Sequence, residues 1–345
     1  MSFEQDLPLE YFYIQTITDI YYCYTTLIGT LTFLLAPGLF YIILTQSKSL
    51  GILKWFLLNH NFWLLMAEVT LFIFRPVLIF PYNGIFSIGP LRTASYKTFI
   101  VGLFIGLLFI IFSALGLIGT FVERYIGGFN SIFKDIWKSP WIKATFAFLH
   151  LFFIILITFY GTVLLNADRD VMKQEGLNMS RSLEVFVNEP SFFAVNREFH
   201  KIANIIGILS CFAVGIGACF LVSIFSWSLL SNQQTMTLTT RTQTMLIVSC
   251  ISEIVIATVF LNLPGFFLFL CLLFEIPYSG PAMMLMICLI NTHPIMEFIS
   301  TLCFVGPYRK FVISVLQIRK NIRNIIVIQG QRISPLGNID HYVFN

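Results

Sequence analysis

The sequence predicts an all-α membrane protein, a seven-transmembrane helix bundle with a short amphipathic helix after the seventh span. Three observations predict it. The 345 residues are 57% hydrophobic and 11% charged, against about 45–50% and about 25% in soluble domains, so the excess apolar surface must face lipid. Seven nearly uncharged apolar stretches each supply the roughly 20 residues that cross about 30 Å of hydrocarbon. Lys and Arg, finally, divide unevenly between the two sides that those stretches define. This composition excludes a cytosolic enzyme, a nucleic-acid binder and a disordered chain.

The stretches run over Tyr22–Leu44, Trp55–Phe74, Thr98–Val122, Ala144–Leu165, Ile202–Leu230, Met245–Phe274 and Pro281–Val305. Helix is the form expected, because a backbone in hydrocarbon must satisfy its own hydrogen bonds and the alternating segments of a β-barrel are absent. Residues 1–21 then form an extracellular N-tail, 22–306 a seven-transmembrane domain, and 307–345 a cytoplasmic amphipathic helix and tail. No repeat or linker marks a second domain.

The N-tail holds four acids and no Lys or Arg, so it lacks the basic start of a cleaved signal peptide, and the first helix is its own insertion signal. The N-tail with loops 2, 4 and 6 carries 8 basic residues, while the C-tail with loops 1, 3 and 5 carries 13; acids outside the spans run the other way, 11 to 3. The positive-inside rule places the C-tail in the cytoplasm and the N-tail outside. Loop 4, Ala167–Lys201, has five basic residues set among six acids. Its Asn178-Met179-Ser180 is an N-glycosylation pattern, read either as a chance triplet or as a modified site on the outer face.

Cys23, Cys211, Cys219, Cys250, Cys271, Cys288 and Cys303 all lie in or at the edge of spans. None sits in loop 4 or at the outer start of the third span, so the disulfide joining those elements in many seven-helix receptors cannot form. Packing is their expected role. His60, His150, His200, His293 and His341 are scattered without ligand spacing, and phosphate-loop, nucleophile-elbow and Cys-x-x-Cys motifs are missing. No catalytic residue, metal or cofactor is expected.

Ionisable groups inside the bilayer are costly and face the bundle interior. Glu68 and Arg75 lie seven residues apart on one face of the second span: either a bend at Arg75-Pro76 lets them pair, or Arg75 snorkels to the outer headgroups while Glu68 is protonated or bonded internally. Gly102 and Gly106 form a G-x-x-x-G that close helix packing explains without a dimer. Glu123-Arg124-Tyr125 closes the third span at the cytoplasmic boundary, where Arg124 either snorkels or does more. In the sixth span Leu263-Pro264-Gly265 is the expected kink, with Glu253 about 16 Å nearer the cytoplasm. The seventh carries Asn291-Thr292-His293-Pro294-Ile295-Met296-Glu297, a proline break among polar groups able to take up freed backbone bonds. Glu253 and Glu297 are each either linked to Arg124 or protonated and bonded locally. Beyond Pro307-Tyr308-Arg309-Lys310, the residues Phe311, Val315, Ile318, Ile322 and Ile325 share a helical face with Arg319, Lys320 and Arg323 off it, the pattern of a helix on an anionic inner leaflet.

Trp55-Phe56-Leu57-Leu58-Asn59-His60-Asn61-Phe62-Trp63 followed by Pro81-Tyr82, then Glu123-Arg124-Tyr125 and Pro307-Tyr308-Arg309, resembles the nematode serpentine chemoreceptors. The closest class is Srh, serpentine receptor class H, within the Str superfamily, and the resemblance runs from the first span to Arg309. It implies a G-protein-coupled receptor in the plasma membrane of sensory cilia, with a small odorant or pheromone-like ligand and a heterotrimeric G protein as partners. It puts Arg124 where the helix 3 Arg engages the G protein and Pro294 where the helix 7 proline serves activation. Two departures matter. His293-Pro294-x-x-Glu297 replaces the usual Asn-Pro-x-x-Tyr, so the tyrosine switch does not carry over, and the missing disulfide puts an outer lid made by loop 4 in doubt. An aromatic and aliphatic outer cavity suits a small apolar or amphipathic ligand. A ligand-gated channel of the insect odorant-receptor type requires the opposite orientation, and a transporter an internal repeat or paired broken helices.

Overall fold

The structure, a computed structural model, describes residues 13–79, 84–128, 135, 137, 139–166, 168–194, 197–231, 238–276 and 279–317. Seven helices in it are long and apolar enough to cross a membrane. They are α1 (Gln15–Gln46), α2 (Leu53–Phe74), α3 (Tyr96–Gly128), α4 (Pro140–Leu165), α5 (Arg197–Ser231), α6 and α7 (Gly280–Phe304). α6 runs through Leu238–Ala257, a π-helical turn at Thr258–Asn262, and Leu263–Leu273. α1 starts seven residues before the predicted limit and α3 continues past Val122 to Gly128. Hydropathy finds only the lipid-embedded part, whereas the 32 residues of α1 reach about 48 Å, well beyond the hydrocarbon.

α2 and α3 pack closely because α3 turns glycines toward α2. A Cβ at Gly102 would fall 2.0 Å from the Phe74 ring, one at Gly119 2.4 Å from Phe56, and one at Gly116 2.9 Å from the Cα of His60. Gly106 faces Thr70 in the same way. The small-residue stripe thus serves a contact within the chain.

At the end of the bundle where α1 begins, a lid that the sequence left unforeseen covers the helix ends. α2 stops at Arg75, whose φ of 43° and ψ of 71° are left-handed and whose N–H still reaches the Leu71 carbonyl at 2.7 Å. Pro76 opens the next strand, where its missing N–H is tolerated. β1 (Pro76–Ile79) pairs antiparallel with β2 (Gly84–Ser87), and β2 pairs antiparallel with β3 (Phe193–Ala194) in the register Gly84↔Ala194 and Ile85↔Phe193. β3 belongs to the segment between α4 and α5, which also folds a helix over Arg169–Met179, capped by Asp168 accepting the Asp170 N–H at 3.0 Å, and a short turn of helix at Glu184–Val187. Val77, Ile79, Phe86, Leu183, Phe186 and Phe192 are buried together with Tyr21 of α1 and Met284 and Ile287 of α7. The Ser87 N–H donates to Ser191 Oγ at 3.0 Å, and the Glu189 carboxylate pairs with Arg92 and raises its pKa from the ordinary value. All seven cysteines are free. The doubt that the missing disulfide casts on a lid from this segment is therefore removed: strand pairing and buried aromatics do the joining.

At the opposite end Val305, in extended backbone, terminates α7, and a further helix, α8, follows over residues 306–317. Tyr308 is buried, and Phe311 and Val312 pack against a cluster from α1, α2 and α7, while Arg309 and Lys310 are exposed. Ile318, Ile322 and Ile325, with Arg319, Lys320 and Arg323, lie outside the described residues.

Candidate functional site

The half of the bundle away from the lid holds a chain of buried polar groups. Arg124, near the end of α3, meets Glu253 of α6 through two bonds, Nη1 donating to Oε2 at 2.8 Å and Nη2 to Oε1 at 2.7 Å. The two side chains are 0% and 1% exposed. Ser249, one turn earlier on α6, donates to Glu253 Oε1 at 3.3 Å, and Cys250 Sγ lies 3.6 Å from Arg124 Nη1. Parallel bonds to a carboxylate fix both angle and distance. Such a pair adds little net stability, because desolvating both charges offsets their attraction, but removing one partner strands the other at a cost of about 3–5 kcal/mol.

Glu297 does not share this guanidinium. Its Oε1 lies 3.6 Å from Nε2 of His60 on α2, and His60 Nδ1 lies 2.8 Å from the Ser113 carbonyl of α3 and 2.9 Å from Ser113 Oγ. Ser252 and Ser300 join α6 to α7 at 2.9 Å. Closer to the lid, Tyr24 of α1 bonds Thr292 of α7 at 2.6 Å. Around Pro294, buried within α7, Asn291 and Thr292 return side-chain bonds to the Ile287 and Cys288 carbonyls. His293, also buried, precedes the proline.

The remaining predicted residues occupy separate positions. Glu123 points away from the pair and accepts from Trp137 Nε1 at 2.7 Å. Tyr125 packs with Phe121, Ile247 and Cys250. Pro264 follows the π-helical turn in α6. A proline ring clashes with the carbonyl four residues earlier in a regular helix, and the wider turn relieves that clash. Pro307 lies in the first turn of α8, Tyr308 bonds Ser47, and the exposed Arg309 approaches Met245 Sδ at 3.6 Å. Asn178 is exposed in the last turn of the lid helix.

Arg75 follows neither predicted alternative. Arg75 does not snorkel: it is 2% exposed and held between the rings of Tyr22 and Phe72, at 4.2 and 4.5 Å to their centroids. It does not pair either, since both Glu68 oxygens are buried without a hydrogen-bond partner. The left-handed turn at Arg75 sends its side chain toward α1, where two aromatic faces receive the guanidinium.

His60 is the residue that sequence reasoning missed. The sequence places it among scattered histidines and within the Trp55–Trp63 run, with no site role, and among the described residues no three His, Cys, Asp or Glu side chains are grouped to hold a metal. Its signal was its place: an ionisable group inside a span is a candidate on that ground alone. A cleft between the start of α1 and α7, lined by Tyr13, Ile17, Thr18, Pro281 and Met284, measures about 10 Å³, room for about one water.

The model of the family described as serpentine type 7TM GPCR chemoreceptor Srh matches residues 15–318. No curated protein and no solved structure matches the chain. Seven membrane-spanning helices, buried charge at the end away from the lid and a family match from the start of α1 into α8 agree: this chain is a multi-pass membrane protein and belongs to the Srh class of serpentine seven-transmembrane chemoreceptors.

Proposed function

We propose that this receptor takes a small odorant or pheromone-like molecule into the half of the bundle beneath the lid and signals through a heterotrimeric G protein bound at the opposite end. The N-terminus and lid face outward from the plasma membrane of sensory cilia, and α8 lies on the inner leaflet. The observation that carries this reading is the Arg124–Glu253 pair. It ties α3 to α6 at the face that the positive-inside rule assigns to the cytoplasm, and it occupies the guanidinium that the resting receptor must keep from a partner.

A ligand acts by binding one helix arrangement more tightly than the other and shifting the population toward it. In the open arrangement the Leu238–Ala257 half of α6 swings about the π-helical turn and Pro264, carrying Glu253 away and freeing Arg124. Each 1.4 kcal/mol of differential interaction is a tenfold shift. Glu253→Gln, which exchanges a charge-assisted bond of about 1.5–3 kcal/mol for a weaker neutral one, should raise ligand-independent signalling roughly tenfold at matched surface level. Arg124→Ala should reach the surface and give no evoked signal. Unchanged basal signalling in the first and full evoked signalling in the second would refute the reading.

A further inference from the structure

His60 of α2 and Glu297 of α7 face each other at 3.6 Å, and the hydrogen bonds around His60 constrain where protons can be. His60 Nδ1 is 2.8 Å from the Ser113 carbonyl oxygen and 2.9 Å from Ser113 Oγ, whose own hydrogen is directed to the His60 carbonyl at 3.3 Å; with both oxygens accepting, Nδ1 carries a hydrogen. The other ring nitrogen, Nε2, faces Glu297 Oε1 at 3.6 Å, with the two side chains 2% and 1% exposed. If the ring were neutral and the carboxyl ionised, a lone pair would face a lone pair in a medium without bulk water. One added proton reverses this. It makes either an imidazolium beside a carboxylate or a carboxylic acid that donates to Nε2, and both are attractive. Neither oxygen of Glu297 and not Nε2 of His60 has a hydrogen-bond partner, so at 3.6 Å these are two unsatisfied buried groups whose nearest polar complement is each other.

The charged and titratable groups facing the link are few. Arg124 of α3 and Glu253 of α6 act on Glu297 but are committed to each other. His293, four residues before Glu297 on α7, faces His60. Tyr308 of α8 faces Arg124 and is bonded to Ser47.

We infer that His60 and Glu297 hold one proton between them, that this proton fastens α2 to α7, and that the fastening is lost when the proton leaves. The sign follows from the count. The link is intact while the pair keeps its proton, and it fails as pH rises far enough to remove it.

The test uses the full chain in lipid nanodiscs and needs neither ligand nor G protein, so its failure is separate from failure of the coupling reading. The melting temperature of the wild type should fall from mildly acidic to mildly alkaline buffer. Glu297→Gln replaces the titrating carboxyl by an amide whose N–H donates to the Nε2 lone pair, so the variant should keep the link and lose the pH slope attributable to it. A slope in Glu297→Gln equal to that of the wild type would overturn the inference, since His293 and the exposed groups are unchanged in it. If the variant does not fold, NMR of isotope-labelled histidine in the wild type decides, with His60→Gln assigning the signal. Nδ1 protonated throughout, with Nε2 either protonated or accepting a hydrogen bond in acidic buffer and a free lone pair in alkaline buffer, supports the shared proton. A bare Nδ1, or an Nε2 state that never changes over a range where the melting temperature falls, overturns it.

Discussion

The hydroxyl of Tyr308 is the donor in its bond to Ser47 Oγ, because the one hydroxyl hydrogen of Ser47 is directed to the Ile43 carbonyl. Both residues are buried, at 0% and 1% exposure. The start of α8 is thereby fastened to the end of α1. Deleting the two hydroxyls should have unequal effects. Tyr308→Phe leaves Ser47 satisfied by Ile43 and should cost about 0.5–1.5 kcal/mol, whereas Ser47→Ala strands a buried phenol and should cost about 1–3 kcal/mol. A double-mutant cycle read by thermal melting of the purified receptor checks this; equal costs would mean that the donor is assigned wrongly.

The lid should open as a unit. Phe186 is buried against Phe86 in a stacked pair and against Tyr13 edge-on, so Phe186→Ala should cost about 3–5 kcal/mol. The loss should fall first on the lid, since its strands are short and its ties local. Hydrogen exchange should quicken at Gly84–Ser87 and Phe193–Ala194 while the amides of α2 and α3 keep their protection. Uniform quickening across the bundle would show that the lid is not a separate cooperative unit.

Two glycine substitutions should have opposite signs. A Cβ at Gly116 meets the backbone of α2, which cannot rotate aside, whereas a Cβ at Gly217 of α5 meets nothing within 4 Å. Gly116→Ala should therefore destabilise by about 1–3 kcal/mol through overpacking, and Gly217→Ala should stabilise by up to about 1 kcal/mol through helix propensity. Surface level and melting temperature together measure both.

Orientation has a direct check. A tag after Met1 should stain in unpermeabilised cells and one after Asn345 only after permeabilisation. Asn178, exposed on the lid helix, would then face the lumen during synthesis, and Asn178→Gln should remove a glycosidase-sensitive mass shift. An outside C-terminus would overturn the coupling reading and favour a channel.

What the sequence revealed was decided by which signals lie within one element. The spans were legible because hydropathy is local, and Arg124, Glu253 and Glu297 stood out because charge in an apolar run is conspicuous. Partner choice was not legible. Whether Glu253 or Glu297 receives Arg124 depends on the rotation of α6 and α7 about their axes, which a helix that is apolar nearly all round does not encode. The sheet was hidden for a related reason: β1 and β2 have four residues each and β3 two, too short for alternation to register, and β3 is brought to β2 from about a hundred residues away. Arg75 misled because a cation near a span's end reads as headgroup-facing, while the turn that buries it is a backbone property.

The lid's mode of attachment also sets how it can behave over many encounters. Strand pairs, a serine bond and stacked rings separate and rejoin by thermal motion alone, with no bond to be oxidised or reduced. A cap so fastened is indifferent to the thiol content of its surroundings, and each reseating erases the last separation, so the lid keeps no chemical memory of having parted.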